Sequence, residues 1–404
     1  MHLVEKYIID KNHSLFKEAE SLCFLSTNLF NYANYIIRKK LFKTGEYLNY
    51  NAIQKQCQGT PDYTALPAKV SQQVLLRLHE SGQAFFAANK EYKQHPDKFK
   101  SAPIISKYKH KTIGRKVITY TSQAVSKSAW KKGLIHLSQT QIVLATQVKE
   151  VCQVGIARGI YHYRIQIVYF NPVSLERKVT GTLAGIDIGL NNLATLTENQ
   201  PGFKPLIING KPLKLINVYY HKNKASLQFK GQPEIKTSHR LRRRLTHKRN
   251  CKIDNYLDSA IRSIINHRAA NSIETLVIGK NDGGQTGRNL GKKTNPNMVS
   301  IPDAKFIEML TYTAQLVETN VVLVTEEYTS KCSFLDNEPL WKQNFYQGRG
   351  IKSGLFRDRN GTLINAYVKG SLNIIRKAFP NAFVEGRQGV VVPPVRITPY
   401  KTVC

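Results

Sequence analysis

The sequence is short of acidic residues: 27 Asp and Glu stand against 60 Lys and Arg, which gives a formal net charge of +33 over 404 residues. The basic residues occur along the whole chain. Because this much like charge repels itself, we expect a polyanionic partner. A nucleic acid fits better than a membrane surface or a merely basic exterior.

Long apolar runs are also missing from the sequence. No run approaches the roughly 18–20 residues that a bilayer-spanning helix needs. The N-terminal stretch MHLVEKYIIDKNHSLF has no apolar signal core. We therefore expect no membrane span and a cytoplasmic location.

Closely spaced cysteines are the third absence, since none of the six forms a Cys-x-x-Cys pair. This spacing argues against a zinc ribbon and against a disulfide framework. We expect reduced thiols, mostly small core residues, at Cys23, Cys57, Cys152, Cys251, Cys332 and Cys404.

The first 170 or so residues read as a small β domain with a helical insertion. Residues 1–13 alternate weakly, as in a strand. Apolar residues at helical spacing predict a helix from Leu15 to Lys40, stopped by Gly45, and a second helix from Val70 to near Pro96. Residues 134–170 carry the alternation of β-strands.

A basic segment interleaved with aromatics, YKQHPDKFKSAPIISKYKHKTIGRK, follows the second helix. It is either a solvated linker or a stretch that neutralises phosphates and stacks bases, and the recurring Tyr and Phe favour the second interpretation. Its candidate phosphate contacts are Lys98, Lys100, Lys107 and Lys109.

From about residue 176 the pattern changes to α/β, with apolar strands that alternate with helices and predict a sheet covered on both faces. A long helix over 237–270 begins with a cluster of basic residues. A solvated face is the usual interpretation of a charge run, but like charges one turn apart weaken an isolated helix, and a phosphate backbone would relieve them. The cluster consists of Arg240, Arg242, Arg243, Arg244, Lys248 and Arg249.

Acidic residues lie within one predicted strand and at the end of another, where they are candidates for a metal site. Asp187 lies inside an apolar strand, where a carboxylate is costly unless it is paired or binds a metal. Glu326 and Glu327 follow another apolar strand, and side-chain alternation lets only one of them face Asp187. A site that binds Mg²⁺ uses several carboxylates, so a third acid is expected from the last helix, whose first turn INAYVKG has none.

Several stretches together resemble the TnpB/OrfB proteins of insertion sequences, which are relatives of the type V CRISPR effectors. The resemblance runs nearly end to end and rests on LPAKVSQQVL, HPDKFK, GIDIGLNNLATLT, VIGKN, IPDAKFIEML, VTEEYTSKCSFLDNE, GLFRDRNGTLINAYVKGSLNIIRK and GVVVPPVRITP. It implies an RNA-guided DNA endonuclease.

The resemblance also implies an architecture. A wedge-like β domain would comprise 1–14 and 105–175, with a helical recognition insert at 15–104. A RuvC-like nuclease domain of the RNase H fold, with a mixed sheet flanked by helices, would comprise 176–404. This domain would include the basic bridging helix 237–270, which in the family spans the guide–target heteroduplex. The implied partners are a guide RNA and double-stranded target DNA, in the bacterial cytoplasm at the nucleoid.

Residue by residue, the family's first catalytic acid falls on Asp187. The second usually follows the VIG strand, but this chain reads VIGKNDGG there, without a Glu, and the resemblance implies that Glu326 or Glu327 takes this role. The third falls on Tyr367, and Lys369 replaces a neutral amide nearby. A phenol with a pKa near 10 is a poor Mg²⁺ ligand. Asp358 is the one acid in the preceding turn, and its Asn-Gly neighbours predict an exposed loop.

We therefore predict a degenerate RuvC-like endonuclease: an RNA-guided DNA-binding protein without efficient cleavage, such as a transcriptional repressor. Mg²⁺ would bind weakly at most, through Asp187 and the two glutamates, and would matter only for residual cleavage. One alternative is an active RNA-guided endonuclease or accessory protein of an insertion sequence. Another is a basic DNA-binding protein that uses no RNA.

Overall fold

Two units follow each other along the chain, Met1–Pro172 and Val173–Cys404. The structure is a computed structural model, and it describes residues 1–148, 150–172, 181–229, 235–281, 302–383 and 393–399. The predicted domain boundary between residues 175 and 176 lies outside the described residues.

The first unit is built on an antiparallel sheet of four strands. Its strand order is β1-β6-β5-β2, and a separate hairpin pairs β3 with β4. On β6 the buried side chains alternate along the strand, because successive residues of a strand point to opposite faces. The strands are β1 (His2–Asp10), β2 (Ile118–Thr121), β3 (Leu134–His136), β4 (Val143–Ala145), β5 (Val151–Arg158) and β6 (His162–Phe170).

Helices of the first unit share one hydrophobic core with that sheet, in which Phe30 of α1 and Ile165 of β6 are both buried. The first helix ends where the sequence predicts a stop, since Gly45 adopts a left-handed φ of 71° and its N–H bonds to Leu41. The helices are α1 (Phe16–Thr44), α2 (Tyr50–Cys57), α3 (Pro61–Thr64), α4 (Ala68–Gln94) and α5 (Lys127–Trp130), with 3₁₀ turns at Pro96–Lys98 and Ser122–Ala124.

The second unit contains a mixed sheet of six strands in the order β11-β10-β7-β8-β9-β15. Neighbours among β7, β8 and β9 run antiparallel, β10 and β11 run parallel to β7, and β15 runs parallel to β9. The strands are β7 (Leu183–Ile188), β8 (Asn192–Glu198), β9 (Leu206–Asn209), β10 (Thr275–Lys280), β11 (Asn320–Thr325) and β15 (Val395–Ile397).

Helices cover both faces of this sheet, as the sequence predicts. Ile186 of β7 shares a core with Tyr256 and Phe306 from one helical layer. Leu183 of β7 shares another core with Leu372 from the opposite layer. The helices are α6 (Lys211–Phe229), α7 (Ile235–Ala270), α8 (Asp303–Leu316) and α9 (Ala366–Ala378), and a small antiparallel sheet precedes α9, with β12 (Arg349–Lys352), β13 (Leu355–Arg357) and β14 (Leu363–Asn365).

The order β11-β10-β7-β8-β9, in which two parallel strands extend three antiparallel ones, is that of the RNase H-like (RuvC) fold that the resemblance implies, and β15 adds a sixth strand beside β9. The strand β11 departs from the prediction of a buried strand. It lies at the sheet edge and pairs with β10, so its residues are half-buried or exposed. In the described part of the chain, no helix is long and apolar enough to cross a membrane.

Close contact between β7 and α9 generates a stability prediction. A Cβ atom added to Gly185 would lie 2.3 Å from the carbonyl oxygen of Ser371. We expect Gly185→Ala to lower the free energy of unfolding by about 1–3 kcal/mol, because helix and strand must move apart. Urea denaturation measures this loss.

The matched control is Gly350→Ala, since a Cβ at Gly350 meets no atom within 4 Å. Equal urea midpoints for the two variants would contradict the contact between β7 and α9.

Candidate functional site

Asp187 lies on β7 with its carboxylate against the first turns of α9. A Cβ added to Gly370 would lie 2.9 Å from Asp187 Oδ2. Side chains alternate along β7, so Asp187 points to the same face as Gly185, towards α9, while Ile186 points into the other core. The glycine at position 370 therefore leaves room for this carboxylate.

Glu326 reaches the same place from the edge strand, at the same end of the sheet. It follows β11, and its backbone N–H bonds to Lys280 O at 3.2 Å. Its side chain passes over β10, where a Cβ on Gly279 would lie 2.8 Å from Glu326 Cγ. A backbone hydrogen bond from Ile188, next to Asp187 on β7, completes the placement.

Glu327 takes another direction. Its side chain is exposed, and its backbone carbonyl accepts a hydrogen bond from Lys377 Nζ at 3.0 Å. Of the two glutamates that the sequence left open, Glu326 is the one whose carboxylate interacts with Asp187.

The two carboxyl groups hold protons unusually strongly. Burial, together with the nearby charge of Glu326, raises the pKa of Asp187 to about 8, although Lys369 opposes this effect. Burial also raises the pKa of Glu326 to about 7. Near neutral pH the pair is therefore partly protonated, as expected for like charges in a poorly solvated place.

Asp303 is a neighbour of the site that sequence reasoning missed. It is the first residue of α8, and its charge contributes to the raised pKa of Glu326. The sequence does carry a signal, because an acid just after Pro302 marks a helix start, but that signal indicates a stable helix N-terminus. Only the fold brings this helix end towards the end of β11.

Tyr367 occupies the first turn of α9. The N-cap residue Asn365 accepts hydrogen bonds from the backbone N–H groups of Tyr367 and Val368, at 3.0 and 3.3 Å. The phenol ring is half-buried and lies against Gly354, where a Cβ would be 3.3 Å from Tyr367 Cε2. The side chain thus packs on the turn between β12 and β13.

Lys369 is fully buried and bonded. Its ammonium group donates to Ser330 O at 2.6 Å and lies 3.8 Å from the centroid of the Phe356 ring. Burial lowers the pKa of Lys369 to about 8, while nearby groups including Asp187 oppose the shift. The lysine therefore places a positive charge near Asp187. Its hydrogen bond to Ser330 O also connects α9 to the loop after β11.

Two further side chains on α9 hold the same loop. Asn373 Nδ2 donates to the carbonyls of Thr329 and Cys332, each at 2.9 Å, and Arg376 donates to Glu338 O at 2.6 Å. Positions 369, 373 and 376 share one helix face because they are spaced by four and three residues. This face fixes the chain that leaves Glu326.

The prediction that Asp358 lies in an exposed loop is wrong. The residue is buried, and its carboxylate accepts the backbone N–H of Thr362 at 2.5 Å. Asp358 closes the turn between β13 and β14, where the Asn-Gly pair forms the exposed tip. The carboxylate is therefore used by its own turn.

The donors around Asp187 do not fit a two-ion magnesium centre. In the ranges that the structure describes, no group of three His, Cys, Asp or Glu side chains is placed to hold a metal ion. The first turn of α9 offers a phenol where a further carboxylate would be needed. Mg²⁺ is held by several oxygen ligands, so no reaction step through a metal follows from this site.

The predicted nucleic-acid contacts on α7 fall into two groups. Arg240, Arg243, Arg244 and Lys248 are exposed, whereas Arg242 and Arg249 are half-buried. Arg249 Nε donates to Asn217 Oδ1 at 2.9 Å, and its guanidinium lies 5.7 Å from the Tyr220 ring centroid. Arg249 thus connects α7 to α6. The four exposed residues are the candidates for phosphate contact.

The predicted contacts of the first unit are all exposed. Lys98 forms an ion pair with Glu91, with 2.7 Å between Nζ and Oε1. Lys100, Lys107 and Lys109 lie further along the basic segment, and Lys109 Nζ lies 5.8 Å from the Phe30 ring centroid.

Comparison with known proteins adds one family match. The family model OrfB_IS605, described as a probable transposase, matches residues 166–283. No curated protein matches the sequence.

Two solved structures resemble the chain at low similarity. One is described as the Cas12f1-sgRNA-target DNA complex, with 14% identity, a TM-score of 0.38, and coverage of 92% of this chain and 98% of that chain. The other is described as the CRISPR-Cas12f ternary complex, with 12% identity, a TM-score of 0.36, and coverage of 89% and 81%. At these TM-scores the fold assignment rests on the strand order of the sheet itself.

The raised pKa values predict how stability depends on pH. Folding raises the pKa of Asp187 from 3.8 to about 8, so the unfolded chain loses this proton first and stability falls as pH rises across that interval. Asparagine does not titrate. We expect Asp187→Asn to be more stable than the wild type at pH 8, with the gain shrinking towards pH 4, as measured by calorimetry.

Glu326→Gln should behave in the same way between about pH 4.5 and 7. The control is Glu327→Gln, which changes an exposed carboxylate at the next position. A similar pH-dependent gain in the control would contradict the pairing of Asp187 with Glu326.

Proposed function

We propose that this TnpB-like chain of the transposase family binds a guide RNA and matching double-stranded DNA. We propose further that it does not cut the DNA. The observation that carries the proposal is the composition of the site. Asp187 and Glu326 lie together, and Tyr367 stands in the helix turn where the family's third acid is expected.

The chemistry of cleavage explains why this composition matters. Phosphodiester cleavage with two metal ions requires several ionised carboxylates to offset the ionic charge and to orient the attacking and leaving oxygens. In this chain the first turn of α9 supplies a phenol instead of a carboxylate, and Lys369 adds a positive charge near Asp187. Each feature lowers the affinity for Mg²⁺.

Features for binding nucleic acid are retained. Exposed Arg240, Arg243, Arg244 and Lys248 lie on one long helix, and the net charge of +33 favours a polyanion. In RNA-guided recognition the protein holds the backbone of the heteroduplex and base pairing reads the sequence. Such a complex could occupy a promoter and repress transcription from it.

A second candidate function is RNA-guided cleavage with a rearranged set of acids. The position of Asp303, close enough to raise the pKa of Glu326, favours this candidate. In that case Asp303→Asn would abolish cleavage, and a guide-loaded wild type would cut a matched target.

The first test uses the purified complex with its co-purified RNA, a matched supercoiled target and Mg²⁺. We expect a discrete small RNA, stable binding to the target and no cutting. Efficient cutting that disappears in Asp187→Ala would overturn the proposal. Recovery of no discrete RNA would instead favour a basic DNA-binding protein that acts without a guide.

Restoring an acid tests the placement of the site in the same assay. Tyr367→Asp should strengthen Mg²⁺ binding measured by calorimetry, and Tyr367→Asn is the neutral control. The substitution should be made with Lys369 in place, since Lys369→Asn would remove the hydrogen bond to Ser330 O. Equal Mg²⁺ binding by the two variants would show that position 367 does not adjoin the site.

Salt dependence tests the role of α7. The double variant Arg243→Gln and Arg244→Gln should reduce the slope of log K against log salt by about 0.9 for each phosphate of duplex DNA that the protein no longer neutralises. Titrations at several salt concentrations measure the slope. By contrast, Arg249→Gln should mainly lower thermal stability, because Arg249 bonds to Asn217. An unchanged slope in the double variant would remove α7 from the interface.

A further inference from the structure

The basic segment of the first unit is attached to α1 along its length. The amide of Asn31 both donates to Lys109 O, at 2.9 Å, and accepts from Lys109 N–H, at 2.8 Å. Asn34 and Arg38 both donate to Ser106 O, at 3.0 and 3.1 Å. These bonds give the segment a fixed position beside the helix.

This attachment places an arginine between two exposed aromatic rings. The Arg38 guanidinium lies 5.1 Å from the Phe42 ring centroid and 5.3 Å from that of Tyr108. Phe42 is 67% exposed and Tyr108 is 48% exposed. One turn before Arg38 on α1 lies Tyr35, also exposed, with Lys39 Nζ 5.6 Å from its ring centroid. We call Tyr35, Arg38, Phe42 and Tyr108 the stacking cluster.

The two stretches of sequence that supply the stacking cluster carry charge of one sign. The sequence has no acid between Asp97 and Glu150, and none between Glu20 and Glu46. Repulsion from Lys109 and Arg77 adds to burial in lowering the pKa of Lys116, which shows how closely the basic groups crowd here. A polyanion would relieve this repulsion.

Planar rings and a planar guanidinium on a basic surface suit a particular form of nucleic acid. Unpaired bases stack on aromatic side chains and on arginine, whereas the bases of a duplex already stack on each other. A guide RNA offers unpaired bases before any DNA is opened, so single-stranded RNA is the occupant that this surface fits best.

We propose that the stacking cluster binds unpaired bases of the guide RNA, while Lys107 and Lys109 contact the neighbouring phosphates. The inference rests on the proposed function, because it takes the guide RNA as the partner. It adds a binding site on the first unit, separate from the acidic pair and from α7. It also gives the exposed aromatics of the segment a role in RNA binding.

The test uses the full-length protein freed of co-purified RNA and an unstructured oligoribonucleotide that carries 2-aminopurine. Stacking on the cluster should quench the 2-aminopurine fluorescence. We expect Tyr108→Leu and Phe42→Leu each to weaken binding by about 5- to 150-fold, the range typical of removing one base–aromatic stack. The salt slope should stay unchanged, because neither variant removes a charge.

The matched control is Phe170→Leu, since Phe170 belongs to the same unit and is 49% exposed. It should bind and quench like the wild type. Arg38→Lys adds a second check, because it keeps the charge and loses the planar group, and it should weaken binding. Duplex DNA of the same sequence should bind the wild type and Tyr108→Leu equally well.

The outcomes separate the two proposals. If the wild type binds no RNA, the proposed function fails. If the wild type binds RNA and Tyr108→Leu binds and quenches equally well, only the stacking cluster is refuted. A loss for duplex DNA as large as that for RNA, or tighter binding of the matching single-stranded DNA than of RNA, would likewise overturn the assignment to RNA.

Discussion

The close approach of α9 to β7 is the constraint on which the second unit depends. The backbone of Gly185 meets the helix at Ser371, whose hydroxyl donates to Gly185 O at 2.7 Å. Gly370 admits the carboxylate of Asp187 into the same narrow space. A side chain at either glycine would push the layers apart, so the position of the acidic pair and the packing of the helix are a single arrangement.

This arrangement also explains the electrostatics of the site. Removing a carboxylate from water raises its pKa, and a second carboxylate beside it raises the pKa further. In this chain the nearby compensation is a buried lysine, and the phenol on the same helix turn packs against the small sheet that precedes it. The acidic pair is therefore sheltered from water, with Lys369 as a nearby positive charge.

Much of the fold could be predicted from local signals. Gly45 ends α1 because a left-handed residue terminates a helix, and apolar strands that alternate with helices predicted a sheet covered on both faces. Asp187 could be identified from the sequence because burying a carboxylate inside an apolar strand costs free energy unless the group is paired or bound. The edge position of β11 was not predictable, since the apolar pattern of NVVLVT does not reveal how many strands pair with it.

The finer details of the site depend on tertiary contacts. Alternation indicated that one of Glu326 and Glu327 faces Asp187, but the choice depends on how the chain turns after β11 and crosses Gly279. Asp303 comes near through the placement of a whole helix. In the sequence, Lys369 indicated only an added positive charge near the site. Its structural role was not predictable, because its partners Ser330 and Phe356 are distant along the chain.

The bond from Lys369 to Ser330 couples the packing of α9 to the charge near Asp187. Replacing the lysine by a shorter amide would leave a carbonyl without its donor and an empty space beside Phe356, and it would also remove the positive charge near Asp187. Any substitution at position 369 therefore changes the stability of the helix and the electrostatics of the acidic pair together.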